Sequence, residues 1–130
     1  HTQYSVREAM KQSVRILLAE DNPVNQKLAV MMLNKAGYQV DVAADGKLAV
    51  DRFSVAPDHY DLIFMDVQMP EMDGLEATRE LRSRGFTQVP IVAMTAHAMR
   101  GDKASCLAAG MNDYITKPIK RERVFEMITK

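Results

Sequence analysis

Short apolar runs alternate with longer amphipathic stretches along this chain, and that alternation limits the folds open to it. Several of the runs are apolar nearly throughout, which is typical of strands covered by helices on both faces of a sheet. Strands that alternate with helices favour a parallel sheet with right-handed crossovers. The pattern predicts five strands, over Val14–Ala19, Val40–Ala43, Leu62–Met65, Val89–Met94 and Tyr114–Thr116.

Five helical stretches are predicted between and after these strands. The first begins at Pro23, which the first turn of a helix tolerates, and ends near Gly37. A single apolar stripe follows it, made of Val24, Leu28, Met31 and Met32. The other stretches are Asp45–Ser54, Asp73 to about Gly85, Met99–Ala109, which has the weakest stripe, and Arg121–Ile128. Together the elements predict an open, doubly wound α/β sheet, with a strand order that the pattern leaves undetermined.

Length and composition narrow the class of protein. A chain of 130 residues with 47% hydrophobic residues is expected to form one domain with a real core. The 17 basic residues balance the 17 acidic ones, so the basic excess of a binder of nucleic acid or of an anionic membrane is missing. One cysteine, Cys106, excludes an internal disulfide, and no apolar run is long enough to span a bilayer. Residues 1–13 are expected to be a linker or tail, in a segment that begins with His1 and is expected to come from a longer chain.

Chemically distinctive residues stand at the ends of the predicted strands. Ligands bind at the carboxyl ends of the strands in open parallel sheets, so these positions are the candidates for a site. They carry acids, a hydroxyl and a lysine, namely Glu20 and Asp21 after the first strand, Asp66 after the third, Thr95 and Ala96 after the fourth and Lys117 after the fifth.

The acidic residues predict a magnesium site with a nucleophile. Carboxylates that lie close together raise one another's pKa unless a cation neutralises them, and Mg²⁺ suits one or two carboxylates plus retained waters and substrate phosphate oxygens. An Asp nucleophile, a metal, a lysine and a hydroxyl together indicate phosphoryl transfer to a carboxylate, with Asp66 as the acceptor. For Glu20 and Asp21 an alternative stays open, in which they cap the following helix.

Four ordered motifs in the chain resemble the receiver domain of two-component response regulators. They are Ile16-Leu17-Leu18-Ala19-Glu20-Asp21-Asn22, Met65-Asp66-Val67-Gln68-Met69-Pro70-Glu71-Met72-Asp73-Gly74, Ala93-Met94-Thr95-Ala96 and Tyr114-Ile115-Thr116-Lys117-Pro118. The resemblance makes residues 14–130 a receiver domain and implies the flavodoxin-like strand order 2-1-3-4-5. It also implies that Asp66 accepts a phosphoryl group from a phosphohistidine.

The resemblance assigns a role to each site residue. Glu20, Asp21, Asp66 and the backbone carbonyl of Gln68 would ligate Mg²⁺. Lys117, the Thr95 hydroxyl and the Ala96 N–H would bind the phosphoryl group, and Thr95 with Tyr114 would form a conformational switch. The resemblance further implies a tight turn at Gly74, consistent with a positive φ, and a cis Lys117–Pro118 bond.

Further segments are similar to the receivers of hybrid sensor histidine kinases. They are Asn22-Pro23-Val24-Asn25-Gln26, Thr95-Ala96-His97-Ala98 and Ala109-Gly110-Met111-Asn112-Asp113-Tyr114. This similarity implies a cytoplasmic domain, a parent histidine kinase for which a membrane anchor stays open, and partners that carry phosphohistidine, in a kinase or in a histidine phosphotransfer domain. Neither nucleic acid nor direct membrane contact is expected.

Three other functions fit the residues less well. A flavodoxin would need a phosphate-binding loop where Glu20 and Asp21 stand, and a haloacid dehalogenase-type phosphatase would need a second acid at Gln68. A degenerate receiver, acting only as a protein-interaction module, is the remaining alternative.

Overall fold

The fold is seen in a computed structural model that describes residues 14–96, 100–117, 120, 122–124 and 126. Strands and helices alternate strictly along these residues. Their bounds are β1 Arg15–Ala19, α1 Pro23–Lys35, β2 Gln39–Ala43, α2 Gly46–Val55, β3 Leu62–Asp66, α3 Gly74–Ser83, β4 Ile91–Thr95, α4 Arg100–Ala109 and β5 Asp113–Thr116. Residues 122–124 and 126 are also helical.

The five strands form one parallel sheet in the order β2-β1-β3-β4-β5. This confirms the predicted doubly wound α/β architecture and the strand order that the family resemblance implies. The order in which strands are added reverses at β1: β2 lies on one side of it and β3, β4 and β5 lie on the other. Strands β1 and β3 are parallel neighbours, in register from Ile16 opposite Leu62 to Ala19 opposite Met65. That reversal opens a crevice at the carboxyl ends of the two strands, where such folds bind ligands.

Successive side chains of each strand point to opposite faces of the sheet, so two separate cores form. On one face Leu17, Ile63 and Met65 pack with residues of α2, α3 and α4, and the buried Cys106 belongs to this cluster. On the other face Ile16, Leu18 and Phe64 pack with α1 and Val124. Cys106 is therefore a buried residue of this core, with 2% of its surface exposed.

Side-chain caps and glycines define the helix ends. The Asn22, Asp45 and Asp73 side chains each accept backbone N–H groups from the first turn of α1, α2 and α3. Gly37 and Gly85, with φ of 99° and 96°, follow α1 and α3, close to the predicted stops.

Some predicted boundaries are wrong by a few residues. The fourth strand begins at Ile91 rather than Val89, after Pro90, which has no N–H for the sheet. It also includes Thr95, just as β3 includes Asp66. The sequence did not predict the 3₁₀ turn at Pro57–His59.

The predicted stripe of α1 faces largely outwards. Val24, Leu28 and Met31 are 65%, 60% and 53% exposed, whereas the helix is anchored to the sheet by Ala29 and Leu33. The spacing correctly predicted an apolar face of α1. The face that packs on the sheet is a different and narrower one, which contains Ala29 and Leu33.

Several predictions concern residues outside the described ranges. These are the linker or tail over residues 1–13, Met99 at the start of the fourth helix, the Lys117–Pro118 bond and most of the last helix. Of the helices in the described part of the chain, none combines the length and apolar character that crossing a bilayer requires.

Candidate functional site

Asp66 ends β3 at the centre of the sheet's carboxyl edge, and its carboxylate is engaged on both oxygens. Residue Asp66 is only 4% exposed. The Lys117 ammonium donates to its Oδ2 at 2.6 Å, and the Gln68 backbone N–H donates to its Oδ1 at 3.1 Å. The buried apolar residues Leu62–Met65 place the Asp66 carboxylate in the crevice at the end of the strand, where the two donors stabilise its charge.

Lys117 bridges two acids from neighbouring strands. Its ammonium lies 2.6 Å from Asp66 Oδ2 and 2.8 Å from Glu20 Oε1. Burial lowers the pKa of Lys117, but hydrogen bonds and charge from Asp66 and Glu20 together raise it by more, so that it lies above its ordinary value. Lys117 is therefore a fully charged counterion at neutral pH.

Three carboxylates converge beside this lysine. Oxygen atoms from Glu20, Asp21 and Asp66 lie within 4.8 Å of one another. Glu20 is 2% exposed, whereas Asp21 is open to solvent. Carboxylate oxygens are hard donors of the kind that Mg²⁺ prefers, and an open side of the cluster leaves room for the waters that Mg²⁺ retains. The chemistry of the donor set thus fits magnesium.

The first turn of α1 is capped by Asn22. The Asn22 Oδ1 accepts the backbone N–H groups of Val24 at 2.9 Å and Asn25 at 3.1 Å. Glu20 instead accepts the Asn22 backbone N–H on Oε2, at 3.1 Å. The alternative in which Glu20 and Asp21 serve as the side-chain cap of this helix is therefore wrong.

A cavity of about 710 Å³ opens over the cluster. Seven of the eight predicted site residues line it, and the sheet brings them together from four different strand ends: Glu20, Asp21, Asp66, Gln68, Thr95, Ala96 and Lys117. Thr95 is 8% exposed, and its carbonyl accepts the Lys117 backbone N–H at 2.8 Å. A carboxylate residue, a cationic residue and a hydroxyl residue thus line one cavity, a combination that can serve phosphoryl transfer to the carboxylate.

Tyr114 lies apart from this cavity, on β5. It is half-buried and stands opposite Ala93 in the register of β4 and β5. The Lys103 ammonium of α4 lies 5.4 Å from the centre of its ring, within the range of a cation–π contact.

The loop after Asp66 packs against glycines because its backbone comes too close for a Cβ, and not because these glycines have a positive φ. A Cβ at Gly74 would lie 2.1 Å from the Asp66 carbonyl oxygen, and a Cβ at Gly46 would lie 2.1 Å from the Met72 oxygen. Positive φ in this loop belongs to Glu71, at 65°, so its predicted place at Gly74 is wrong. Close packing against Gly46 and Gly74 fixes the loop that presents Gln68.

Three polar residues at the start of α1, one of them its cap, belong to the site but were not predicted as part of it. Asn22 and Asn25 line the cavity, and the Gln26 amide donates to the Glu20 carbonyl oxygen at 2.6 Å. The available sequence signal was an Asn followed by Pro at a helix start, which is typical of a cap. Nothing in the spacing indicated the contact of Gln26.

Comparison with known proteins agrees with this geometry. Residues 16–129 match the family described as the response regulator receiver domain. The chain is 45% identical over 120 residues to hybrid signal transduction histidine kinase I of Dictyostelium discoideum, covering 88% of this chain and 7% of that protein. It is 37% identical over 131 residues to the signal transduction histidine-protein kinase BarA of Escherichia coli, covering 100% of this chain and 14% of that protein. The chain thus spans a small part of these relatives.

Solved structures are similar over nearly the whole chain. The receiver domain of the sensor histidine kinase PA1611 from Pseudomonas aeruginosa, solved with a magnesium ion in its active-site cleft, is 46% identical with a TM-score of 0.81, covering 90% of this chain and 95% of that one. The receiver domain of Saccharomyces cerevisiae Ssk1, solved with the histidine phosphotransfer protein Ypd1, gives 33% identity and a TM-score of 0.81, covering 90% of this chain and 87% of that one.

Proposed function

Because this chain belongs to the response regulator receiver domain family, we propose that it accepts a phosphoryl group from a phosphohistidine onto Asp66 in a two-component phosphorelay. The observation that carries the proposal is the setting of Asp66, whose two oxygens accept from Lys117 and Gln68 inside a cavity shared with two further acids. Residues 14–130 are then the receiver domain of a longer, histidine kinase chain, and residues 1–13 are a linker or tail.

The residues of the cavity have separate tasks in the transfer. A carboxylate oxygen of Asp66 bonds to phosphorus while the P–N bond breaks and its electron pair stays on the donor histidine. Lys117 faces the phosphoryl oxygens as a fixed cation, and the Thr95 hydroxyl and Ala96 N–H donate to them. Glu20, Asp21, Asp66 and the Gln68 carbonyl would hold Mg²⁺, which supplies positive charge against the phosphoryl oxygens.

Intact mass after treatment with acetyl phosphate and Mg²⁺ tests this proposal. We expect the mass of one phosphoryl group on the wild-type chain and none on Asp66→Asn, whose amide is isosteric but a far weaker nucleophile. Asp61→Asn, at an exposed acid on the far edge of the sheet, serves as the matched control and should label normally. A wild-type chain that binds its partners but never takes up the label would instead favour the degenerate receiver.

The exposed stripe of α1 suits a helical partner. Val24, Leu28 and Met31 form one apolar face of a helix that starts at the cavity, and exposed apolar patches of this kind mark protein interfaces. We assign this face to the phosphohistidine-bearing partner, a histidine phosphotransfer domain or the kinase's own phosphohistidine domain. The Ssk1 receiver, which was crystallised with Ypd1, supports a partner of this class.

Two phosphodonors separate docking from chemistry. Leu28→Asp should slow transfer from phosphorylated Ypd1 by about tenfold or more, because it places a charge in an apolar contact. The same variant should label normally with acetyl phosphate. Val55→Asp, at an 85% exposed residue of α2, is the control and should leave both donors unaffected. Equal transfer from Ypd1 to Leu28→Asp and wild type would exclude α1 as the docking face.

Phosphorylation is further proposed to shift a conformational equilibrium through Thr95 and Tyr114. A phosphoryl group adds charge and acceptor oxygens that draw the Thr95 hydroxyl towards Asp66, and Tyr114 responds by leaving its contact with Lys103. NMR with beryllofluoride and Mg²⁺ should show changes at Tyr114 and in α4. Thr95→Ala should keep the changes around Asp66 and lose the distant ones, and an undiminished distant response would contradict the coupling.

A cytoplasmic location, with no nucleic-acid partner and no membrane contact of this domain, completes the proposal. It rests on the family relationship and on the balanced charge of the sequence.

A further inference from the structure

The peptide that joins the two neighbouring acids, Glu20 and Asp21, is held by a side chain from the first turn of α1. The Gln26 Nε2 donates to the carbonyl oxygen of Glu20 at 2.6 Å, and Gln26 is half-buried. The opposite amide orientation would set two oxygens against each other, so the geometry fixes nitrogen as the donor. The contact belongs to neither the helix nor the sheet.

The helix start explains how Gln26 reaches this carbonyl. Asn22 caps α1, and the backbone N–H of Gln26 donates to the Asn22 carbonyl at 2.9 Å in the first regular helical bond. Side chains on a helix lean towards its N-terminus, so Gln26 extends back past the cap to the strand end. A shorter side chain at this position would fall short.

Holding that carbonyl fixes the direction in which Asp21 leaves the strand. The Glu20 N–H donates to Ala43 of β2 at 3.0 Å, so both backbone groups of Glu20 are bonded. Because the peptide is planar, fixing its oxygen also fixes the N–H and Cα of Asp21. Asp21 is exposed, and among the described residues no hydrogen bond to its carboxylate is found. Its position therefore depends on its backbone.

We infer that Gln26 is a positioning residue for the metal-holding acids, and that its amide sets the affinity of the domain for Mg²⁺. The inference rests on the proposed function of the site. It differs from a purely structural role, in which Gln26 would stabilise the loop between β1 and α1 without affecting the metal. The two roles separate experimentally, because one lowers affinity and the other lowers only stability.

The central experiment measures Mg²⁺ binding to the unphosphorylated 130-residue chain. Gln26→Met keeps the length of the side chain and removes the donor. We expect its Mg²⁺ dissociation constant, from calorimetry or from amide shifts in NMR, to rise about tenfold, the lower end of the range seen when a partner of a metal ligand is lost. Asn34→Met, at an exposed position near the end of the same helix, is the control and should bind Mg²⁺ as the wild type does.

A second variant separates geometry from charge. Gln26→Glu adds a negative charge near the acids, which would strengthen Mg²⁺ binding if only electrostatic attraction mattered. It also sets a carboxylate against the Glu20 carbonyl, so positioning predicts weaker binding. Tighter binding by Gln26→Glu would overturn the inference.

The metal-free protein provides a readout that needs no labelling. Without the Gln26 donor, the Asp21 and Asn22 amide signals should shift and exchange faster with solvent, while those of β4 stay unchanged. Should Gln26→Met fail to fold, Gln26→Asn, which keeps the amide but is one methylene shorter, must show the same loss of affinity. A Gln26 variant that melts earlier than wild type yet binds Mg²⁺ equally well, far below its melting temperature, would establish the structural role alone.

Failure of the proposed function looks different from failure of this inference. Wild-type protein that binds Mg²⁺ but takes no label from acetyl phosphate removes Asp66 as an acceptor and leaves the Mg²⁺ comparison of the Gln26 variants intact.

Discussion

Two cationic side chains lie partly buried at opposite edges of the sheet, and they differ in what surrounds them. At the carboxyl edge Lys117 bridges Glu20 and Asp66, under an open cavity. At the amino edge the Arg82 guanidinium donates to four neutral oxygens, those of Gly110 at 3.0 Å and of Phe86, Val89 and the Asn112 side chain at 2.9 Å each. Carboxylates raise the pKa of Lys117, whereas burial lowers the pKa of Arg82.

The difference indicates separate roles. Lys117 belongs to a binding site, whereas Arg82 is a structural residue that links segments of the chain. The acids around Lys117 can exchange their cation for another, because their charge remains whichever cation neutralises it. The carbonyls around Arg82 have no net charge to offer a metal, and the planar guanidinium matches their directions. They come from the turn after α3, the segment before β4 and the turn before β5, so that Arg82 joins three parts of the chain. The comparison predicts that metal can compensate for the loss of Lys117 but never for that of Arg82.

The largest effect is expected for Arg82→Met. It removes four hydrogen bonds and leaves three partly buried carbonyls and the exposed Asn112 side chain without this donor, so the free energy of unfolding should fall by about 3 kcal/mol in urea titrations. Saturating Mg²⁺ should leave this difference unchanged. Arg84→Met is the control, because Arg84 pairs at the surface with Glu80 and such pairs contribute less than about 1 kcal/mol. A similarly small loss of unfolding free energy in both variants would mean that Arg82 does not link these segments.

Gly110→Ala tests the space that Arg82 occupies. Gly110 has φ of 109°, and an added Cβ would lie 2.9 Å from Arg82 Cγ. The backbone strain and the clash together should cost about 2 kcal/mol. Gly85→Ala is the matched control, since Gly85 has φ of 96° with nothing within 4 Å of the added atom. It should cost only the strain, about 1 kcal/mol, and equal losses would show that Arg82 moves aside freely.

How far these two edges could be predicted from sequence follows from their chemistry. The carboxyl edge was predictable, because parallel strands must bring Glu20, Asp66 and Lys117 to one side. Arg82 and Gln26 act on backbone carbonyls, which every residue carries, so no sequence pattern marks their partners. Each looks like an ordinary polar residue on a helix.

The stripe of α1 shows a second limit. Its spacing correctly identified an apolar face, yet Leu28 and Met31 are exposed while Ala29 and Leu33 meet the sheet. Periodicity reports that a face is apolar but not what covers it. Distinguishing a core face from an interface needed the position of the sheet.

Lys117→Met should be destabilising mainly in the absence of metal. It leaves Glu20 and Asp66 buried beside each other without their cation, which should cost about 1–2 kcal/mol at neutral pH, after allowing for the burial cost that Lys117 itself no longer bears. Saturating Mg²⁺ should restore most of the loss, since a ligand stabilises the form that binds it. Lys120→Met, at an exposed residue, should show no loss with or without Mg²⁺. A loss of unfolding free energy that Mg²⁺ does not reduce would give Lys117 a structural role like that of Arg82.

Alkaline pH provides the same test without mutation of the acids. The folded-state pKa of Lys117 lies above its ordinary value of 10.5. Its contribution to stability is therefore complete below that value and is lost as pH rises through the higher folded-state pKa. In urea titrations across this range, wild type should lose the stability that Lys117→Met has already lost, and the two should converge. Parallel curves would contradict a stabilising role for the lysine charge.

The smallest effect, and one of opposite sign, is expected for Asp21→Asn. Asp21 is exposed and places a third charge within 4.8 Å of two acids that share one lysine, so without metal it repels them. Removing its charge should raise the free energy of unfolding by about 0.5 kcal/mol at low salt, and less at high salt, because exposed charges are screened. Asp51→Asn, an exposed acid on α2, changes the net charge equally and should give no such gain. Mg²⁺ should reverse the order, since wild type binds it more tightly and gains more stability from it. If Asp21→Asn were less stable than wild type without Mg²⁺, the Asp21 charge would be stabilising the fold. The three acids at the carboxyl edge would then not carry an unneutralised negative charge that favours binding of a cation.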